Sequence, residues 1–277
     1  MSDKPHLSKT QLEMVAKCPA QYEHRYVLGK KRPPGVAAVI GSGSHKGAEV
    51  DLLHKMETGV LMEEEAVTEY AGDEVKRKWA EETPVRQDGD PDQGGAVDEA
   101  VFLSRVYHRE LAPRISPVAV EQPRMLEIPG FKYDIMLIPD VEEADKIRDL
   151  KTKGKAPAAT EAELSIQGAI ETLEAKVRGR GELPFVLDIL LRGKKKPLTQ
   201  VSRPTANDHL ALLGRVEQVT KLIDAGAFPP TQPGNWWCSK KWCGYYDECA
   251  WGARKRVSVG LIDPASLTSR LVQRRAA

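Results

Sequence analysis

The chain has 277 residues, 41% hydrophobic and 29% charged, with a formal net charge of +1; this is the composition of a globular protein with ample core, and it excludes a disordered or fibrous chain. No apolar run approaches the ~20 residues of a membrane span, and the opening MSDKPHLSKTQ lacks the apolar stretch of a secretory leader. A cytoplasmic, reducing setting is therefore expected, in which clustered cysteines bind metal rather than pair as disulfides.

Ser8 caps a predicted helix from Lys9 to about Leu28, which Gly29 stops and Cys18-Pro19 divides into two pieces. A second helix starts near Gly43 and places His45 and Glu49 one turn apart on one face. Glu63 to Glu82 reads as a polar helix, QDGDPDQGG (Gln87 to Gly95) as a loop, and Val97 to about Leu111 as a further helix. Glu57 to Glu99 carries fourteen acidic against four basic residues, whereas Lys240 to the C-terminus carries eight basic against three acidic. Such polarity fits a basic phosphate-binding face held apart from an acidic insert.

After Pro113 the pattern changes. VAVEQPRMLEI, FKYDIMLI and KIRDL are short segments rich in β-branched residues and separated by turn signals, which predicts three strands. A helix follows from Thr160 to about Val177, with Ile166, Ile170, Leu173 and Val177 on one face. PFVLDILLR, from Pro184, is a fourth strand. A long helix from Thr205 to Ala225 leads to WWCSKKWCGYYDEC, which holds three of the four cysteines.

Asp149 and Lys151 lie two apart on a strand, so both project from one face while Leu150 points into the core. If IPDVEEAD is a hairpin loop with Pro139 opposite Ala144, Asp134 falls opposite Asp149. Like charges placed so closely are destabilising unless a cation joins them. Two carboxylates suit Mg²⁺ or Mn²⁺, hard ions that prefer oxygen ligands and activate water for attack on a phosphate.

Asp134, the Asp149-Leu150-Lys151 triplet and a following helix bearing Gln167 resemble the PD-(D/E)XK nuclease superfamily, and the αβββαβ order is that family's order. Within it the chain is similar to the RecB-like branch. GSGSHKGAEV resembles its Gly-x-x-x-His helix, IRDLKTKGK its Asp-x-Lys-Thr strand, and LSKTQLEMVAKCPAQYEHRYVLG its opening segment. The resemblance runs from about Leu7 to Trp251. A lone N-terminal cysteine with a C-terminal triplet resembles the CRISPR-associated Cas-four exonucleases and the AddB recombination nuclease, in which four thiolates hold a [4Fe–4S] cluster. Two features depart from the pattern: the triplet has the wider spacing Cys-x4-Cys-x5-Cys, and Glu171 stands where a Gln-x-x-x-Tyr motif has tyrosine.

The resemblance implies an α/β (α+β) fold: a restriction-endonuclease-like core with a mixed sheet, as one nuclease domain over residues 1–277. Cluster-side helices occupy 1–35, the acidic helical insert 57–112, the core 113–200, the helix and cysteine cap 201–256 and a basic tail 257–277. It further implies that His45, Asp134, Asp149 and the carbonyl of Leu150 hold Mg²⁺ or Mn²⁺. Lys151 then stabilises the transition state, Gln167 positions it, and Glu49 orients His45. Cys18, Cys238, Cys243 and Cys249 would hold the cluster, shielded by Trp236, Trp237, Trp242 and Trp251. The expected activity is metal-dependent exonucleolytic cleavage of single-stranded DNA or duplex ends, in recombination, repair or phage biology, with recombination or CRISPR-adaptation proteins as possible partners. The alternatives are a non-catalytic DNA-binding subunit and an interaction module stapled by zinc.

Overall fold

The computed structural model describes residues 4–232 and 234–249; the expected basic tail and Trp251 lie outside these. Among the described residues, no helix is long and apolar enough to cross a membrane. The described residues form two compact units, one within 1–9 and 33–212, the other within 10–32 and from 213 on.

The first unit is built on two sheets. A five-stranded sheet has the order β2 (Pro117–Val120), β5 (Val141–Glu143), β6 (Ile147–Lys153), β7 (Phe185–Leu191), β8 (Leu198–Ser202), with β6 and β7 parallel and the other pairs antiparallel. A three-stranded sheet sets β4 (Asp134–Leu137) between β1 (His6–Ser8) and β3 (Arg124–Leu126). Parallel central strands covered on both faces must be apolar nearly throughout, and β7, FVLDILL, is buried along all but its last residue. Its one acid, Asp188, is bound by Arg148 at 2.7 Å and by the Thr199 hydroxyl at 2.7 Å.

Three long helices cover one face: α3 (Val36–Thr58), α4 (Glu64–Glu81) and α5 (Gln93–Glu110). Val36, Val39, Ile40, Ala100 and Leu103 form a core with Leu150 and Leu190 of the sheet. The glycines of GSGSHKG set how closely these helices approach. A Cβ on Gly43 would stand 2.7 Å from the Ala71 carbonyl oxygen and 2.9 Å from the Ala100 Cβ, and one on Gly47 would stand 2.7 Å from the Ser104 hydroxyl. Both are contacts no real Cβ sustains, so glycine here locks α4 and α5 onto α3. On the other face, α6 (Ile166–Val177) lays Gly168 directly on the Phe185 ring.

Several elements differ from expectation. The histidine-bearing helix starts at Val36 rather than near Gly43, because Val36, Val39 and Ile40 are core residues. The helix expected from Thr160 starts at Ile166, capped by the Ser165 hydroxyl, and Leu164 is 78% exposed. VAVEQPRMLEI is divided between two sheets, and β1 and β8 were not foreseen.

The largest correction concerns VEE, expected as loop, which is β5. Its two buried glutamates are neutralised. Glu142 meets Arg178 at 2.7 Å and Arg180 at 3.0 Å, and Glu143 meets Arg148 at 2.5 Å and the Ser116 amide at 2.9 Å. The hairpin therefore turns at residues 143–146, where the Glu143 N–H donates to the Lys146 carbonyl at 2.9 Å. Its register pairs Val141 with Arg148, and one step further sets Asp140, not Asp134, opposite Asp149. Asp134 instead lies in the three-stranded sheet, where its carboxylate accepts from the Ile128 amide at 3.0 Å and from Lys4 at 3.3 Å.

The second unit holds α1 from Thr10 (Lys9–Lys17), α2 (Pro19–Tyr22), a π-helical turn (Glu23–Val27) and the part of α7 (Ala206–Asp224) after Leu212. Pro19 occupies the first turn of α2, where its missing N–H costs nothing. The Ala20 N–H donates to the Pro229 carbonyl at 3.3 Å and the Tyr245 hydroxyl to the Lys30 carbonyl at 2.7 Å, so the two distant stretches of chain are joined within this unit.

Candidate active site

His45, Glu121 and Asp140 form the one group of three potential ligands among the described residues whose donor atoms all lie within 4.8 Å of one another. Each comes from a different element. His45 sits mid-way along α3, Glu121 directly follows β2, and Asp140 directly precedes β5. Asp140 is held by two contacts: its Oδ2 accepts from the Leu150 N–H at 2.6 Å and lies 3.5 Å from His45 Nδ1. The Glu121 N–H donates to the Asp140 carbonyl at 3.1 Å, and Glu121 adopts φ +47°, the one positive value among described non-glycine residues. A conformation of this kind costs about 1–3 kcal/mol and persists where surrounding contacts impose it, often at functional sites.

Asp149 and Lys151 adjoin this group on β6. Asp149 is 1% exposed. Its Oδ1 accepts from Lys151 Nζ at 2.5 Å and from the Gln167 amide, which also donates to Glu171 at 2.8 Å. Gln167 thus holds two buried carboxylates at once and links Glu171 to the cluster.

The structure brings His45, Asp149, Leu150, Lys151 and Gln167 together, and it leaves Asp134 elsewhere. Glu49 lines the same cleft but is paired with Lys46 at 3.0 Å, while His45 faces Asp140 instead. Glu121 and Asp140 were missed by sequence reasoning. A signal for Asp140 was available: Pro139-Asp140 followed by Asp149-Leu150-Lys151 spells a Pro-Asp and an Asp-x-Lys pair. Glu121 carried none, being one acid inside an apparent strand.

The crowding of carboxylates has electrostatic consequences. Burial first, and the Asp140 charge next, push Glu121 up to about 7 and Asp149 up to about 6. Burial and then Asp149 drive Glu171 well above the usual carboxylate range. For His45, burial favours the neutral ring, but the charge and hydrogen bond of Asp140 outweigh it and the imidazole is raised. For Asp140, burial favours the acid, but His45, Lys151 and the Leu150 amide outweigh it and the group is lowered.

The sign of the pH dependence follows. Glu121, Asp149, Glu171 and His45 all bind protons more tightly folded than unfolded, so they favour the native state at low pH and lose that contribution as pH rises through their folded values. Asp140 acts oppositely, but only below its unfolded value of 3.8. In metal-free protein the melting temperature is expected to fall by several degrees between about pH 5.5 and 7.5, at about 2–4 °C per kcal/mol for a domain of this size. Mn²⁺ should restore it at the upper pH and do little at the lower. Scanning calorimetry with and without Mn²⁺ tests this; a melting temperature that rises across the window without metal would refute it.

The donor set fits a divalent cation. An imidazole and two carboxylates make a mixed nitrogen and oxygen shell suited to Mg²⁺ or Mn²⁺, and a cation there would offset the Asp140 charge that, after burial, raises Glu121 and Asp149.

The four cysteines all lie in the second unit and line one pocket with Gln21, His24, Thr231 and Trp237. Hydrogen bonds reach two of the sulfurs: Gln21 Nε2 stands 3.2 Å from Cys243 Sγ, and the Thr231 N–H stands 3.4 Å from Cys18 Sγ. Trp237 lines this pocket, whereas Trp236 and Trp242 are exposed and meet edge to face at 5.3 Å.

The crystal structure of a candidate exonuclease from Eubacterium rectale is similar in fold, with a TM-score of 0.54, 16% identity, and coverage of 97% of this chain and 93% of that one. The solved structure of SSO0001 matches at a TM-score of 0.39 and 13% identity over 88% of this chain and 96% of that one, too distant to argue from. No curated protein matches in sequence. The model of the PD-(D/E)XK nuclease superfamily matches residues 6–250, nearly the whole length and every residue of the cluster described above, and the chain belongs to that superfamily.

Proposed function

We propose that the protein is a divalent-metal-dependent deoxyribonuclease of the RecB-like branch, an exonuclease acting on DNA ends in recombination, repair or phage replication. The observation that carries this reading is the convergence of His45, Glu121 and Asp140 beside Asp149 and Lys151, with His45, Glu121 and Lys151 lining one open cleft of about 630 Å³. His45, Glu121, Asp140 and Asp149, with the Leu150 carbonyl, would hold the ion, which when bound supplies an activated water and charge neutralisation at the phosphate. Lys151, fixed by Asp149, offers its ammonium to charge developing on the phosphate oxygens. Gln167 fixes Asp149 in turn, and with Glu171 keeps that carboxylate oriented.

We take the two units as parts of one nuclease domain, with residues 57–112 as an insert. Cys18, Cys238, Cys243 and Cys249 are proposed to hold a [4Fe–4S] cluster. The four cysteines line a common pocket with Gln21, His24 and Trp237, and a lone N-terminal cysteine with a C-terminal triplet is the arrangement that resembles the cluster-bearing nucleases. Amide donors to the sulfurs are the contacts by which a protein stabilises such a cluster.

The test is incubation of anaerobically purified protein with end-labelled linear DNA and with covalently closed circular DNA. Loss of end label with Mg²⁺ or Mn²⁺, none with EDTA, and intact circles are expected. Cleavage of circles as fast as linear DNA would overturn the exonuclease reading, and no cleavage of either would overturn the nuclease reading. Binding to DNA in EDTA should weaken at least tenfold between about 50 and 200 mM salt, as counterion release requires if three or more phosphates are contacted.

A further inference from the structure

The acidic insert supplies one wall of the catalytic cleft. Alongside Ala37, Ala38, Gly41 and Ser42 of α3 and Lys151 of β6, the cleft is lined by Glu74 and Lys78, both from α4. Lys76, Arg77 and Lys78 are consecutive cations on a helix with many acids, and the first two are spent. Lys76 binds Asp73 at 2.8 Å, and Arg77 binds Glu74 through two bonds of 2.7 and 2.8 Å and also reaches Glu81. The Lys78 side chain makes no hydrogen bond or ion pair among the described residues, and it is the one of the three that lines the cleft. The other cleft cations are engaged, Lys46 with Glu49 at 3.0 Å and Lys151 with Asp149 at 2.5 Å. Glu74, the acid of α4 that lines the cleft with it, has its charge taken by Arg77.

From this we infer that Lys78 is a positioning residue for the DNA strand, binding a phosphate next to the one being cleaved, and that α4 is part of the substrate-binding surface despite the acidity of its segment. An unpaired ammonium in a cleft that already holds a candidate metal group has a phosphodiester as its natural partner. The small side chains of Ala37, Ala38, Gly41 and Ser42 leave room opposite it for a sugar-phosphate backbone. Gly43 holds α4 against α3 through the Ala71 carbonyl and Val75, so the distance from Lys78 to the ligand group is set by helix packing and not by a flexible loop.

The inference rests on the nuclease reading and is tested separately from it. Lys78→Ala, Lys78→Glu and Lys78→Arg would be compared with wild type by fluorescence anisotropy on a single-stranded oligonucleotide in EDTA, and by cleavage kinetics in Mn²⁺. Loss of one phosphate contact should raise Kd and KM about tenfold in the alanine variant and further in the glutamate variant, leave kcat within about twofold, and lower the salt slope by about 0.7 for a single strand. Arginine should restore binding. The melting temperature and Mn²⁺ affinity should be unchanged, since Lys78 holds nothing in the free protein. If wild type binds and cleaves DNA while the alanine and glutamate variants match it in Kd and KM, the inference is overturned and the nuclease reading stands. If wild type neither binds nor cleaves, both fall together.

Discussion

Asp140→Asn is expected to lower DNA cleavage by about 10³-fold or more, equivalent to some 4 kcal/mol of transition-state stabilisation, while Asp134→Asn leaves turnover by the folded enzyme nearly intact. The two aspartates lie six residues apart, Asp134 opening β4 and Asp140 just before β5, and both are largely buried, yet the proposed function gives them opposite roles. Asp134 satisfies the Ile128 amide and Lys4 within a small sheet. Its amide variant should cost about 1–3 kcal/mol of stability, the usual penalty for spoiling a buried hydrogen-bonded carboxylate. Asp140 faces His45 and Glu121 and opposes Asp149 across the hairpin. Its amide variant removes a charge that currently raises its neighbours, so Glu121 and Asp149 should both titrate lower. The metal-free variant should therefore be no less stable than wild type near neutral pH. Melting curves and single-turnover cleavage on the two variants decide the matter. An Asp134→Asn protein that is folded but inactive, beside an active Asp140→Asn protein, would return the metal site to the register the hairpin does not have.

That hairpin also marks where the sequence ceases to be readable. Period-two and period-3.6 patterns report burial of apolar faces, and they located the core strands around Asp149 and Phe185 and the helices bearing His45 and Gln167. They fail where a buried strand is polar. VEE reads as loop because two successive acids are costly to bury, and only the arginines at 124, 148, 178 and 180, distant or differently patterned in the sequence, make it a strand. Misreading three residues moved the turn, and the turn fixes which residues oppose each other. The hairpin logic itself, that an acid must face Asp149, survives with a different acid. Glu121 is less accessible still, because its role depends on a left-handed backbone and on its link to the Asp140 carbonyl, neither of which has a one-dimensional signature. The acidic insert shows the opposite failure. A count of charges reports repulsion of DNA, whereas the pairing of Asp73, Glu74 and Glu81 with their helix neighbours leaves one cation facing the cleft.

Cys18→Ser is expected to have the largest effect on the fold without touching a catalytic group. Cys18 lies between α1 and α2, 220 residues before Cys238, and the two line the same pocket within the second unit. A ligand bridging them closes a loop that the unfolded chain must otherwise explore, a constraint worth up to roughly 5 kcal/mol by analogy with a disulfide of that span. Residual structure in the denatured state lowers the figure, but even half of it is a large part of the roughly 5–15 kcal/mol that holds a domain together. The variant should lose the broad visible absorption and the iron of the wild-type protein, melt several degrees lower, and be cut by protease within residues 10–32 and 213–249. Asp140→Asn should keep its colour and iron, because the metal group of the first unit shares no ligand with the cysteines. Elemental analysis separates the remaining cases. Iron at about four per chain in wild type, falling sharply in Cys18→Ser, supports the cluster; one zinc per chain replaces it with a structural zinc site. Full iron and an unchanged melting temperature in Cys18→Ser would mean that the C-terminal triplet finds its fourth ligand elsewhere. The pocket that Cys18 shares with it would then be packing alone.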